Sequence, residues 1–273
     1  MTMRDDLSKD LLPGRGEGID PVELARRDLI KALPKRFYKQ AHIGSVEGGF
    51  ALLLDGRSAK TPARHALCLP TEAAALSLAE EWNAQEEVIN PLSMPLTRIV
   101  NSAIDGVANT MDDVAAEIVK YAGTDHVLYR ATDPTNLVDL QKKQWDPVVD
   151  FARDSLGAEF RVTQGIVHVQ QPQEALEKIA KAVDIYANSG AKAPFLLATL
   201  HVMTTLSGSA LLALAVARRH YTVEQAWELA HVDEDYQIRG WGTDEEALAR
   251  RARRWREMDS AAKLFFEING VDE

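Results

Sequence analysis

The sequence predicts an α+β fold, a small antiparallel β-rich N-terminal domain followed by a larger, mainly helical C-terminal domain. Three observations carry this reading. Short apolar runs between Arg36 and Leu69 are punctuated by Gly48-Gly49 and Asp55-Gly56 turns. From Pro172 onward, apolar residues recur at helical spacing almost to the end. The 273 residues, 46% of them hydrophobic and 26% charged, suffice to bury a sizeable core.

Residues 1–19 are polar and Gly-punctuated and are predicted to be a flexible arm. The β-rich domain with its flanking helices is placed at 20–95 and the helical domain at 96–273. Asp20-Pro21-Val22-Glu23 has the form of a helix start, and Val22, Ala25, Leu29 and Leu33 share a face before Pro34 ends it. Then come the strands. FYKQAHIGSV, FALLLD and Leu67-Cys68-Leu69 make a meander of about four, with Asp-Gly supplying the positive φ that a tight hairpin turn requires. Such a sheet is too thin to stand without a covering layer.

Thr71 is expected to cap a helix over 72–88, with Ala75, Leu78 and Trp82 on one stripe. Pro95 opens the next helix, and another spans about 112–122. His126 to Ala131 reads as a short strand, and 136–156 as a long amphipathic helix carrying Pro147. Phe160 to Val169 alternates like two strands broken at Gln164-Gly165. The remaining helices are placed at 173–187, 194–206, 209–220, 223–239 and 243–267. Ser207-Gly208-Ser209 either separates two of these helices or bends one. Thr222 and Gln225 form a capping box.

Several functional classes are excluded or disfavoured. A single cysteine, Cys68, can form no internal disulfide and fits a reducing compartment. Lys and Arg number 31 against 41 Asp and Glu, so the net charge of −10 disfavours a general affinity for nucleic acid or anionic lipid. The most apolar run, Ala210 to Ala217, is far below the roughly 20 residues of a membrane span. The first residues mix Asp5, Asp6 and Asp10 with Arg4 and Lys9 and show no apolar segment, which predicts neither a secretory signal nor a transit peptide and so a cytoplasmic protein.

No G-x-G-x-x-G, P-loop, H-E-x-x-H or C-x-x-C signature is present. Ser207-Gly208-Ser209 lacks the second Gly of a nucleophile elbow. His231 and Glu234 have i,i+3 spacing, but a metal site would need further ligands. The dense run of Arg250, Arg251, Arg253, Arg254 and Arg256 reads as a solvated helix face braced by Glu246 and Glu257. Trp82, beside the thin sheet, reads as core. The least ordinary segment is HVDEDYQIRGWGTD, residues 231–244. On one helix Glu234, Gln237 and Trp241 would continue the stripe of Trp227 and Ala230. Buried, Glu234 would need hydrogen-bond partners; exposed, it would offer carboxylate, amide and indole together, the mixture that anchors protein interfaces. The residues leave both readings open.

Seven motifs occur in a telling order: Arg36-Phe37-Tyr38-Lys39; Leu54-Asp55-Gly56-Arg57 with Lys60-Thr61-Pro62; Glu81-Trp82-Asn83-Ala84-Gln85; Met94-Pro95-Leu96-Thr97-Arg98; Tyr129-Arg130-Ala131; Gln144-Trp145-Asp146-Pro147; and Asp233-Glu234 with Gln237 and Trp241-Gly242. From Arg36 to Phe266 the chain resembles the family of F-type ATP synthase assembly chaperones that act on the F1 alpha subunit, in its alphaproteobacterial branch. Asp125-His126-Val127-Leu128 departs from the family's commoner Asp-Leu-Leu-Cys, as does Tyr236 from Trp or Phe. The resemblance implies a non-enzymatic protein, free of cofactor and metal, that holds the free alpha subunit until beta replaces it; a monomer is expected, with no nucleic-acid partner and no membrane insertion. It points to Glu234, Gln237, Trp241 and Asp244 as the client-binding patch, and to Trp82, Asp55 and Gly56 as structural motif residues. The rival reading is a small-molecule enzyme with a cleft around His231 and Glu234.

Overall fold

Glycine decides the first strand pairing. The computed structural model describes residues 33–165, 167–242 and 244–270, the Trp241 side chain excepted; the arm over 1–19 and the helix predicted from Asp20 lie outside the described residues. Glu47-Gly48 closes a two-residue hairpin between β1 (Ala41–Val46) and β2 (Gly49–Leu54), with Ala41 opposite Leu54 and Val46 opposite Gly49. Asp55 and Gly56 then take φ of 48° and 80°, two left-handed residues in succession, and lead into β3 (Arg57–Ser58). The Asp55 carboxylate accepts the backbone N–H groups of Lys39 and Gln40 at 3.0–3.1 Å, tying the turn to the chain entering β1. β4 (Cys68–Leu69) pairs with Phe50 and Ala51, so β3 and β4 share the second edge of β2. Gly49 is obligatory here: a Cβ on it would run into the Leu69 carbonyl.

The chain divides into two compact units. The described part of the first is residues 33–37 and 85–90, where Lys35 bridges Val88 antiparallel and the N–H groups of Arg36 and Ile89 reach the carbonyls of Glu87 and Pro34 at 2.9 Å. The second holds residues 38–84 and 91–270, the four-stranded sheet and ten helices among the described residues.

Helix α1 (Glu72–Asn83) lays Ala74, Ala75 and Leu78, all fully buried, against β1 and β2. It ends five residues before the predicted boundary because the Asn83 side chain leaves the helix for the backbone of Ala41. Thr71 stands at its N-cap, but its hydroxyl donates to the Glu267 carbonyl at 2.9 Å instead of accepting from the helix. A cap of a different kind opens α2 (Pro95–Asp105). There the Glu81 carboxylate accepts the N–H groups of Leu96 and Thr97 at 2.8 Å and the Thr97 hydroxyl at 2.6 Å. Trp82 Nε1 donates to the same hydroxyl at 2.9 Å and its ring packs on Tyr38 at 5.5 Å, so Trp82 is half-buried, not fully in the core. Glu81→Ala removes the carboxylate that accepts three hydrogen bonds and is expected to cost about 2 kcal/mol, measured by urea denaturation.

Helices α3 (Met111–Gly123), α4 (Thr135–Leu156), α5 (Gln173–Ala187), α6 (Ala193–Ser207) and α7 (Ala210–Ala217) form the main body. All eight residues of α7 are buried, and α6 packs on α2, α3, α5 and α7. The Ser-Gly-Ser sequence separates these two helices rather than bending one. Gly208 takes φ of 71°, Ser209 caps α7, and the fully buried Asp125 carboxylate accepts the Ser209 hydroxyl at 2.8 Å and the Leu211 N–H at 3.0 Å. Burial pushes the Asp125 carboxyl above the ordinary carboxylate range, against these donors and the nearby His126.

Two strand expectations change. His126–Leu128 is a single 3-10 turn, and only Tyr129–Arg130 is extended, as β5. The predicted break at Gln164-Gly165 does not make a hairpin. β6 (Thr163–Gln164) pairs in parallel with β5, while Arg161 spends its N–H and carbonyl on the Gln171 side chain at 2.8 and 3.0 Å. Three further helices close the fold: α8 (Val223–Ala230), α9 (Val232–Trp241) and α10 (Glu245–Asn269), the last packed on α6 and α2. Among the described residues no helix is long and apolar enough to cross a membrane.

Candidate functional site

The helix expected over 223–239 is two helices, and His231 parts them. In a continuous helix the Trp227 carbonyl would accept the His231 backbone N–H. Here His231 Nδ1 donates to that carbonyl at 2.7 Å, its ring lies 4.1 Å from the Trp227 ring, and its backbone N–H moves to Glu228 at 3.1 Å. The side chain has displaced its own backbone, and α9 starts afresh. The stripe from Trp227 and Ala230 therefore does not run on into Glu234.

Burial also lowers the pKa of His231, with Arg251 and Arg254 acting in the same direction and the Trp227 carbonyl and Glu234 opposing. The unfolded chain takes up this proton at an ordinary histidine pKa near 6.5, the folded ring only at lower pH. Stability is thus expected to fall as pH drops below about 6.5 toward the folded value. His231→Gln should flatten that part of the pH profile of urea unfolding. At neutral pH the ring is uncharged, so Glu234, 3.7 Å from Nε2, gains no ion pair there.

Each side of α9 has a different neighbour. Asp233 turns to α4, accepting from Gln141 Nε2 at 2.7 Å. Val232, Asp235 and Arg239 line a groove of about 640 Å³ with Leu140, Gln144 and Pro147. Glu234, Gln237 and Ile238 line a cleft of about 240 Å³, closed on its far side by Gly242, Asp244, Ala247, Leu248 and Arg251. Glu234 is 45% exposed, which settles its environment: it belongs to a surface, not to an internal network. The Gln237 side chain is exposed and makes no hydrogen bond among the described residues. Asp244 both lines the cleft and caps α10, accepting the Glu246 N–H at 3.1 Å. The Trp241 side chain lies outside the described residues.

Three of the four expected patch residues therefore meet, together with Leu248, 44% exposed, and Arg251, which sequence reasoning left aside. Arg251 forms a two-pronged ion pair with Asp235, and that hydrogen bond raises its pKa. Arg254 donates to the Leu206 carbonyl at 2.8 Å. Part of the basic run is thus spent inside the fold. A repeated Arg at helical spacing was the available signal, but its partner Asp235 is invisible until α9 and α10 are brought together. Trp82, Asp55 and Gly56 sit elsewhere, at the sheet, in the structural roles described above.

The other recurring motifs also resolve into fold contacts. Arg130, nearly buried, donates to the Gln141 carbonyl at 2.8 Å, pairs with Asp146 at 3.2 Å and lies over the Trp145 ring at 5.4 Å. Gln141 Oε1 accepts the Ala131 N–H at 2.7 Å, and Trp145 Nε1 donates to the Leu229 carbonyl at 2.8 Å. Thr61, Ala63 and His65 all reach the Asp105 carboxylate within 3.1 Å, which lowers its pKa, the Thr61 hydroxyl contributing most.

An open cleft rimmed by carboxylate, amide and exposed Leu combines the groups with which a protein such as a chaperone can hold another protein. Comparison with known proteins bears on the same point. A family model described as ATP12 chaperone protein matches residues 35–153. The mitochondrial protein atp12 of Schizosaccharomyces pombe is 24% identical over 225 residues, 78% of this chain and 75% of that protein. The crystal structure of Atu1473 from Agrobacterium tumefaciens superposes with a TM-score of 0.82 at 46% identity, covering 91% of each chain. That of Atp12 from Paracoccus denitrificans does so at 0.78 and 43%, covering 85% of this chain and 97% of the other. The chain belongs to the ATP12 chaperone family, the chaperones of ATP synthase assembly.

Proposed function

We propose that this chaperone binds the free alpha subunit of the F1 head through the α9–α10 cleft, keeps it from misassociating, and gives it up when beta takes its place. It does so as a monomer in the bacterial cytoplasm, by binding alone, without catalysis or cofactor. The observation that carries the reading is the exposed cluster of Glu234, Gln237 and Asp244 around a cleft with Leu248, in a member of the ATP12 family. An unassembled subunit exposes apolar interface that aggregates. A holder that must later yield is better served by a small cleft of mixed character than by a large apolar face.

The test is co-expression of the full chain with its host's alpha subunit, or separately with beta, followed by affinity capture and assay of the soluble fraction. Selective retention of alpha, with more alpha kept soluble, is expected. Retention of neither, or of beta alone, would overturn the reading.

A further inference from the structure

β1 is an outer strand: among the described residues β2 is its sole strand partner. The register shows which of its backbone groups point outward. Leu52 receives Ala59's N–H at its carbonyl and gives its own N–H to Leu67, both at 2.9 Å, so its polar groups face the β3–β4 side. Those of Ala51 and Leu53 therefore face β1, where they stand opposite Gly44 and His42. Ala41, Ile43 and Ser45 are left pointing away from the sheet. Neighbouring bonds fix the same phase. Gln40 exchanges two hydrogen bonds with Asp55 on the β2 side at 3.0 Å, while Ala41 exchanges two at 2.8 Å with the Asn83 side-chain amide on the other side.

Asn83 thus does for Ala41 what the backbone of an adjoining strand would do, donating and accepting at one rung. Beyond that rung nothing follows it among the described residues. The N–H and carbonyl groups of Ile43 and Ser45 have no hydrogen bond among the described residues, with Ile43 half-buried and Ser45 exposed. Natural sheets guard such edges with Lys, Pro, inward charges or bulges, and Ala-His-Ile-Gly-Ser-Val carries no Lys, Pro, Asp, Glu or Arg, nor is its register bulged.

The geometry points to a docking edge: the outer edge of β1, at Ile43 and Ser45, takes an extended segment of the client protein as an added strand. An extended peptide is the occupant because it alone presents alternating N–H and carbonyl groups at the roughly 6.7 Å repeat that separates two outward residues of a strand. Two residues offer four hydrogen bonds, enough to register a segment and few enough to release it. The inference rests on the client reading above.

The experiment is residue-resolved amide hydrogen exchange on the full chain, alone and in complex with the alpha subunit. Bound alpha is expected to slow exchange at Ile43 and Ser45 by about tenfold or more, leaving His42 and Gly44, already bonded to β2, unchanged. Unaltered Ile43 and Ser45 amides in a complex that retains alpha would overturn the edge and leave the α9–α10 reading standing. Failure of the wild-type chain to retain alpha would overturn both. Ser45→Pro removes one outward N–H at a place where edge strands tolerate proline. It should weaken retention of alpha at an unchanged melting temperature, and wild-type retention by the folded variant would count against the edge. If that variant does not fold, the exchange measurement decides.

Discussion

Trp145→Ala is expected to lower the free energy of unfolding by about 3–5 kcal/mol, and the melting temperature by on the order of 10 °C. The Trp145 side chain is 1% exposed and among the largest fully buried ones. Its loss opens a cavity between β5, α4 and α8 that rigid neighbours cannot fill. Three specific contacts go with the volume: the edge-on stack with His126 at 5.3 Å, the Arg130 guanidinium over the ring at 5.4 Å, and the Nε1 hydrogen bond to Leu229. The last leaves a carbonyl unpaired, and Arg130 keeps its charge in a site that has lost its covering ring. Urea denaturation of both proteins measures the difference. Trp145→Phe should recover most of the volume but not the Leu229 bond, and so fall between the two. A loss under about 1 kcal/mol for the alanine variant would show that the motif is not what holds these elements together.

Glu234→Lys is expected to weaken retention of the alpha subunit tenfold or more while leaving the fold intact. The side chain is nearly half exposed and its near contact, His231, is uncharged at neutral pH, so stability changes little. Binding is another matter. The cleft already contains Arg251, and a lysine in place of Glu234 reverses one of its charges, leaving Asp244 as the remaining carboxylate among its lining residues. Affinity capture beside a thermal melt reads both quantities. Glu234→Gln separates charge from shape: it keeps the side chain's size and hydrogen-bonding reach and should be the milder change. Wild-type retention by the lysine variant at an equal melting temperature would remove Glu234 from the client surface.

Much of the fold was legible in local chemistry. The Asp55-Gly56 turn demands left-handed φ, which small or short polar residues supply, and the hairpin register follows from it. Pro95, the Thr222–Gln225 capping box and the apolar period of α5 name their own elements because each cause lies within a few residues of its effect. The motifs that carried the family resemblance hold residues that meet in the fold, such as Glu81 with the start of α2 and Arg130 with Asp146.

What the tertiary structure alone decided is where a distant partner outbid a local one. Thr71 gives its hydroxyl to Glu267 and Asn83 its amide to Ala41, so the first helix is shorter and differently capped than its sequence implies. β6 pairs with β5 rather than with its own neighbour, and His231 breaks a helix that the sequence reads as continuous over 223–239. The exposure of Glu234, and the union of Gln237 and Asp244 with Leu248 and Arg251, follow from that break. Sequence spacing measures distance along one helix; the cleft lies between two, α9 and α10, joined by an ion pair sixteen residues apart in the chain.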